Sequence, residues 1–183
     1  FIAMARGLSE RGFSAPKIFA ADREAGLIVL EDLGNELVVR GEPPAPIEER
    51  YAAAADVLAA LHGMDLPDLL PVEAGLDYQL AGYDMDALLI EAELLLDWYL
   101  PKFNATISSA ARENFLRHWQ AALTPVLAAP ATWALRDYHS PNLLWLPQRE
   151  GIARVGLLDF QDAVMGPAAY DVASLLQDAR VDV

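Results

Sequence analysis

Apolar positions recur at helical spacing as soon as the chain begins. Phe1, Ile2, Ala5 and Leu8 form one stripe and Gly12 suits a left-handed stop, which predicts a helix over 1–12. Two short apolar runs, Lys17–Ala20 and Leu27–Leu30, flank the turn-forming stretch Asp22–Gly26 and predict a β-hairpin. Glu31 to Asn35 then breaks the pattern with polar residues and a glycine, as a hinge after a buried strand would. Gly41–Pro46 reads as a proline-rich loop. The strongest helical pattern is Ile47–His62, with Tyr51, Ala54, Ala55, Leu58 and Leu61 on one stripe and Gly63 at its end. Pro67, Pro71 and Gly75 punctuate Leu66–Leu76, so a loop is expected there. Helices follow over Met85–Tyr99, ended by Pro101, and over Ser108–Leu127, capped by Ser108 or Ser109. From Trp133 onward the pattern shortens. Trp133–Leu135 is an apolar run and Arg136–Asn142 a polar loop. Leu143–Leu146 and Arg154–Leu158 are strands, Asp159–Pro167 is a loop, and Ala168–Asp178 a last helix.

Composition adds bounds to this picture. With 54% apolar residues in 183, one sizeable core can be buried. The formal charge is 13 minus 27, or −14. Such a field repels nucleic-acid phosphates and anionic lipid, so neither nucleic acid nor membrane is expected as a partner. An acidic surface also serves solubility, and that reading stands beside it. The chain has no cysteine, which removes disulfides, thiolate nucleophiles and zinc–thiolate sites together and fits a reducing, cytoplasmic setting. There is no long uncharged apolar run to predict a membrane-spanning helix, and FIAMARGLSERG lacks the pattern of a signal peptide.

Two loops carry the chemistry. LRDYHSPN places the carboxylate of Asp137 and the amide of Asn142 in one loop, and LLDFQDA places Asp159 just after a strand. Phosphoryl transfer needs such a set. One carboxylate orients the attacking hydroxyl and accepts its proton, while an amide oxygen and a second carboxylate hold Mg²⁺ against the phosphates. Mg²⁺ takes hard oxygen ligands and keeps several waters, so one Asn and one Asp suffice. Taken singly, each residue also has an ordinary reading, Asp137 and Asn142 as turn formers and Asp159 as a strand-end cap.

These residues resemble the aminoglycoside phosphotransferase family, small-molecule kinases with a protein-kinase-like fold. LRDYHSPN matches the catalytic-loop Asp and Asn at Asp137 and Asn142, and LLDFQDAVMGPAAYD matches the metal Asp at Asp159 and the helix Asp at Asp171. LIVLEDLG resembles the strand leading into an adenine hinge, and ALHGM also fits. RDYHSPNLLW, DFQDAVMGPAAYD, SLLQDAR and DWYL resemble bacterial kinases of N-acetylmuramate and N-acetylglucosamine.

The resemblance implies an α+β, protein-kinase-like fold, mostly the helical large lobe with a remnant of the small lobe. Residues 1–32 would be part of the ATP-covering lobe, 33–36 the hinge, and 37–183 the helical lobe. It implies ATP and Mg²⁺ as cofactors and a small-molecule acceptor. Asp137 would be the catalytic base, and Asn142 and Asp159 the metal ligands. Leu30, Glu31, Leu33, Leu144 and Leu158 would surround the nucleotide base. Asp162 and Trp98 are candidate substrate contacts, and Arg136, His139 and Asp171 would support the catalytic loop. Two departures stand out. Leu135 occupies the position where the family commonly has histidine, which would loosen the loop. No glycine-rich loop or strand lysine precedes Phe1, so the chain looks truncated at its N-terminus, and its own activity is an open expectation. An aminoglycoside kinase and a non-catalytic, pseudokinase-like binding protein are the alternatives.

Overall fold

The structure is a computed structural model that describes residues 1–181, so the lobe expected to reach residue 183 is described to residue 181. The first helix, α1 (Ile2–Glu10), buries Ala3, Met4, Ala5, Gly7 and Leu8, and Gly12 follows it at φ 86 in the left-handed region. The hairpin β1 (Ile18–Asp22) and β2 (Leu27–Leu30) forms where the apolar runs predicted it. Its strands are exposed, Ile18 excepted, which is only partly buried. A small antiparallel pair, β3 (Val39–Arg40) and β4 (Ala45–Pro46), takes the last two residues of the expected proline-rich loop 41–46 into a strand. In α2 (Glu48–His62) the buried stripe is Tyr51, Ala54, Val57, Leu58 and Leu61; Val57 takes the place expected for Ala55. Gly63 ends α2 at φ −82, so no left-handed turn is needed there.

The expected loop at 66–76 is instead largely a hairpin, β5 (Leu69–Glu73) with β6 (Leu76–Gln79). Pro71 is tolerated because a two-stranded ladder leaves an outer edge on each strand, where a missing N–H costs nothing. The register shifts between Pro71 and Glu73, and Gly75 turns the chain at φ 79. Next, α3 (Met85–Leu94) starts at Asp84, whose carboxylate accepts from Ala87 N at 3.0 Å. It widens and then tightens, through a π-helical stretch Leu95–Tyr99 and a 3₁₀ turn Leu100–Phe103 containing Pro101. The longest helix, α4 (Ser109–Leu127), is capped by Ser108, which accepts from Ala111 N at 3.1 Å. It buries none of its residues and packs chiefly on α3.

The rest of the chain builds two antiparallel ladders. Strand β7 (Ala131–Ala134) pairs with β10 (Val164–Pro167), and β8 (Leu143–Trp145) pairs with β9 (Val155–Leu157). The segment expected to be loop up to Pro167 thus ends in a strand, because Val164 to Pro167 completes the edge of β7. The chain then enters α5 (Ala169–Leu176), two residues shorter than expected at its C-terminal end. The core gathers α1, α2 and these ladders around Trp133, Tyr138, Phe160, Met4 and Leu61. Close approach fixes α1 against β7: a Cβ on Gly7 would lie 2.8 Å from the Trp133 ring. The indole N–H is not stranded by this burial, since it donates to Pro67 O at 2.8 Å. Among the described residues no helix is long and apolar enough to cross a membrane.

Candidate active site

The two ladders bring the two motif loops together. Loop 135–142 leaves β7 and enters β8, while loop 158–163 leaves β9 and enters β10. Leu143 pairs with Leu157 and Ala134 with Val164, so both loops emerge at the same ends of both ladders. The β8–β9 pairing continues one step outward, as Leu158 N donates to Asn142 O at 2.9 Å. Asn142 and Asp159 are therefore neighbours by register.

Loop 135–142 is held from beneath. The carboxylate of Asp171, with a side chain 0% exposed, accepts from Leu135 N at 2.8 Å and from Arg136 N at 2.9 Å. Asp171 thus braces the loop through the backbone of Arg136 and not through its guanidinium. That guanidinium pairs with Glu91 of α3 at 2.7 Å, and Ser174 Oγ donates to Arg136 O at 3.0 Å. These contacts hold Arg136 at φ 69, a left-handed conformation that costs a non-glycine residue about 1–3 kcal/mol. Tyr138 points inward and its hydroxyl donates to Ala54 O at 2.8 Å. Burial, and then the charge of Asp171, pushes that phenol well above its ordinary pKa, so it stays a donor. Asp137 itself faces outward, 46% exposed, with His139 Nε2 3.6 Å from its Oδ1.

Leu135 is buried where the family pattern has histidine. A histidine nevertheless stands in this region: His62, at the end of α2, places Nε2 3.6 Å from Asp171 Oδ2. The backbone grip of Asp171 on Leu135 and Arg136 makes no use of the residue-135 side chain, so the leucine does not by itself release the loop.

Loop 158–163 is held differently. Asp159 is left-handed at φ 57, and Phe160 behind it is buried and stacked on Phe1, with ring centroids 5.1 Å apart. The Asp159 carboxylate takes Gln161 Nε2 on Oδ1 and Asn142 Nδ2 on Oδ2, the latter at 3.4 Å. Asn142 Nδ2 also donates to Asp137 O at 3.0 Å. One amide thus joins the backbone of Asp137 to the side chain of Asp159. Among the described residues there is no cluster of three or more His, Asp or Glu suited to a metal. A hard cation that keeps most of its waters needs no such cluster, and one amide oxygen beside one carboxylate fits it.

The other expected positions are spread more widely. Leu33 and Leu144 are buried together with Leu146 and with Leu37 against them, over Gly156, where a Cβ would lie 3.1 Å from Leu33 Cδ1. The linker after β2 is docked there by Trp145 N donating to Glu36 O at 2.7 Å. Leu30 and Leu158 are exposed, and Glu31 is tied by its carboxylate to Arg149 at 2.6 Å. Asp162 is exposed on its loop. Trp98 is 71% exposed, seven positions beyond Glu91 and so roughly 10 Å farther along the helical axis.

Sequence reasoning missed several residues that shape this site. Glu91 anchors Arg136 and also accepts from Tyr170 Oη at 3.2 Å. Glu93 and Asp97, farther along the same segment, both pair with Arg112 of α4. Asp178 binds Ser140 by its backbone N–H at 3.3 Å and its hydroxyl at 2.8 Å. The available signal was the two-turn spacing of Asp171 and Asp178 around an apolar helix, which puts both carboxylates on one side.

The sequence matches the phosphotransferase enzyme family, APH, over residues 1–183. It is 44% identical, over 188 aligned positions, to the N-acetylmuramate/N-acetylglucosamine kinase of Caulobacter vibrioides, covering 98% of this chain and 50% of that protein. Against the protein of the same name from Pseudomonas aeruginosa it is 31% identical, covering 99% of this chain and 49% of that one. The chain spans about half the length of the curated relatives it matches. Among solved structures, the GDP complex of aminoglycoside 2'-phosphotransferase-IIIa superposes with a TM-score of 0.58 at 17% identity, covering 97% of this chain and 60% of that one. A choline/ethanolamine kinase family protein from Mesorhizobium loti gives 0.54 at 18% identity, covering 96% and 53%. At such identities the likeness speaks to the fold.

Proposed function

The chain belongs to the phosphotransferase enzyme family and has its protein-kinase-like fold, and from that premise we propose that the protein transfers the terminal phosphoryl group of ATP to a hydroxyl of an amino sugar such as N-acetylmuramate or N-acetylglucosamine. The names of the relatives at 44% and 31% identity support this acceptor. The observation that carries the reading is the Asn142 amide lying between Asp137 O at 3.0 Å and the Asp159 carboxylate at 3.4 Å.

In this reading Asp137, outward-facing and fixed by its buried neighbours, orients the acceptor hydroxyl and takes its proton as the oxygen attacks phosphorus. Asn142, through its amide oxygen, and Asp159, through its carboxylate, would hold Mg²⁺. The ion supplies charge neutralisation on the phosphate oxygens when bound. Leu30, Glu31, Leu33, Leu144 and Leu158 border the nucleotide base, with residues 1–32 as part of a small lobe, 33–36 as hinge and the remainder as the helical lobe. The setting is cytoplasmic. The test is ATP consumption by the full-length gene product with N-acetylmuramate, N-acetylglucosamine and an aminoglycoside as separate acceptors. The reading expects turnover with an amino sugar that Asp137→Asn abolishes; a rate indifferent to that substitution removes Asp137 from the chemistry.

A further inference from the structure

Two buried carboxylates reach the same loop from the same segment. Asp171, in the first turn of α5, accepts the N–H groups of Leu135 and Arg136 at the loop's beginning. Asp178, about two helical turns farther on and just past the end of α5, accepts the N–H and the hydroxyl of Ser140 near the loop's end. Its side chain is 0% exposed. Asp137 lies between the two gripped points, and Asn142 follows the second by one 3₁₀ turn spanning Ser140–Asn142.

We propose that Asp178 is a positioning residue, which with Asp171 clamps loop 135–142 at both ends and so fixes the separation between the Asp137 carboxylate and the Asn142 amide. This rests on the phosphotransfer reading for its consequence, though not for its geometry. A single anchor at 135–136 would leave the loop free to pivot about Arg136, whose left-handed backbone is already under strain. The second anchor removes that freedom. It uses a charged acceptor with two donors on one residue, a stronger grip than a neutral contact. Its surroundings support it from other sides. Arg180 pairs with Asp178 Oδ1 at 2.9 Å, leaving Oδ2 to Ser140. Tyr51 of α2 is buried close by, its phenol pushed up by burial and then by the charge of Asp178. Asp178 thus ties the loop to the segment that follows α5, while Tyr138, donating to Ala54 O at 2.8 Å, ties it to α2.

The test compares Asp178→Ala, Asp178→Asn, Ser140→Ala and the Ser140→Ala/Asp178→Ala pair with wild type in the full-length protein. Amide hydrogen exchange is followed at Ser140 and Leu135, and steady-state kinetics with ATP and the amino sugar are measured alongside. A positioning role gives a kcat lowered ~10-fold or more at nearly constant nucleotide KM, since a misplacement of about 1 Å costs as much as ~100-fold. It gives faster exchange at Ser140 with Leu135 unchanged, and a double variant no slower than its worse parent. Unchanged exchange at Ser140, or a kcat within about twofold of wild type in folded Asp178→Asn, overturns the clamp. Should Asp178→Ala not fold, the Asn and Ser140→Ala variants decide. If the wild type phosphorylates none of the acceptors, the phosphotransfer reading falls, while exchange at Ser140 still judges the anchor itself.

Discussion

Loops 135–142 and 158–163 meet at one amide, yet they are built in opposite ways. The first is tied down by groups withdrawn from water: Asp171, Asp178 and Tyr138 are all buried, and each grips or contributes backbone contacts. The second presents its carboxylate to solvent, and the groups that touch it are side-chain amides, Gln161 and Asn142. Both contain one left-handed non-glycine residue, Arg136 and Asp159. The difference is in what pins it. A group that must hold one direction relative to a reacting hydroxyl gains from anchors that cannot exchange with water. A group that must take up and release a hydrated cation gains from partners that yield easily. The contrast between the loops thus mirrors the roles proposed for them.

The sharpest way to break this contrast is to remove the deepest anchor. Asp171→Ala strands two buried N–H groups and leaves Arg136 without the hydrogen bond that holds its strained backbone. The expected loss is about 3 kcal/mol of folding stability, read as a lower urea midpoint at constant m-value. The corresponding change in the other loop, Asp159→Asn, keeps the left-handed backbone because asparagine tolerates it. Its stability should stay within about 0.5 kcal/mol of wild type. Its affinity for ATP in the presence of Mg²⁺, measured by calorimetry, should fall about 30-fold, roughly 2 kcal/mol. Equal stability losses in the two variants would erase the distinction.

How much of this was legible beforehand follows the same division. The loops themselves could be read, because D-x-x-x-x-N and the strand-end aspartate lie in short segments bounded by strong apolar runs. Asp159 and Asn142 meet through a local hairpin, and hairpin register is a short-range property. The anchors are long-range. Ser140 and Asp178 are 38 positions apart, Arg136 and Glu91 are 45 apart; the two-turn spacing of Asp171 and Asp178 marks a shared helix side but not the loop that meets it. Propensity also misled in the β5–β6 hairpin, where proline suggested loop but an open edge made it harmless. The β10 strand was missed for a related reason: four residues ending in proline gain strand character only from the neighbour they complete.

Acid sharpens the comparison further, because the Asp178 anchor should couple protonation to folding. Burial opposes ionisation of Asp178, but hydrogen bonds from the Arg180 backbone, the Ser140 hydroxyl and the Arg180 guanidinium outweigh it, and its pKa lies below the ordinary 3.8. The unfolded chain therefore binds a proton first as pH falls. The stability Asp178 contributes is complete above its unfolded pKa and is lost as pH drops through the folded one. Melting temperatures taken from about pH 5 down to about pH 3 should fall less steeply for Asp178→Asn than for wild type. Identical slopes would mean that the Asp178 carboxyl binds its proton equally well in the folded and unfolded chain, so that the hydrogen bonds do not favour its ionised form.

The smallest effect belongs to Gln161, and its sign is the informative part. The Gln161 amide donates to Asp159 Oδ1 in an exposed contact, so Gln161→Ala removes one solvent-competed hydrogen bond. Stability should move by no more than about 0.5 kcal/mol. If the contact were an anchor like those beneath loop 135–142, its removal would loosen Asp159 and weaken cation binding. If it is a placeholder that must leave when a cation arrives, its removal spares that displacement. Mg²⁺ affinity in the presence of ATP should then rise, by about twofold for a contact of ~0.5 kcal/mol. A calorimetric titration that shows weaker binding in Gln161→Ala would put the two loops in one class after all, both held by partners that stay.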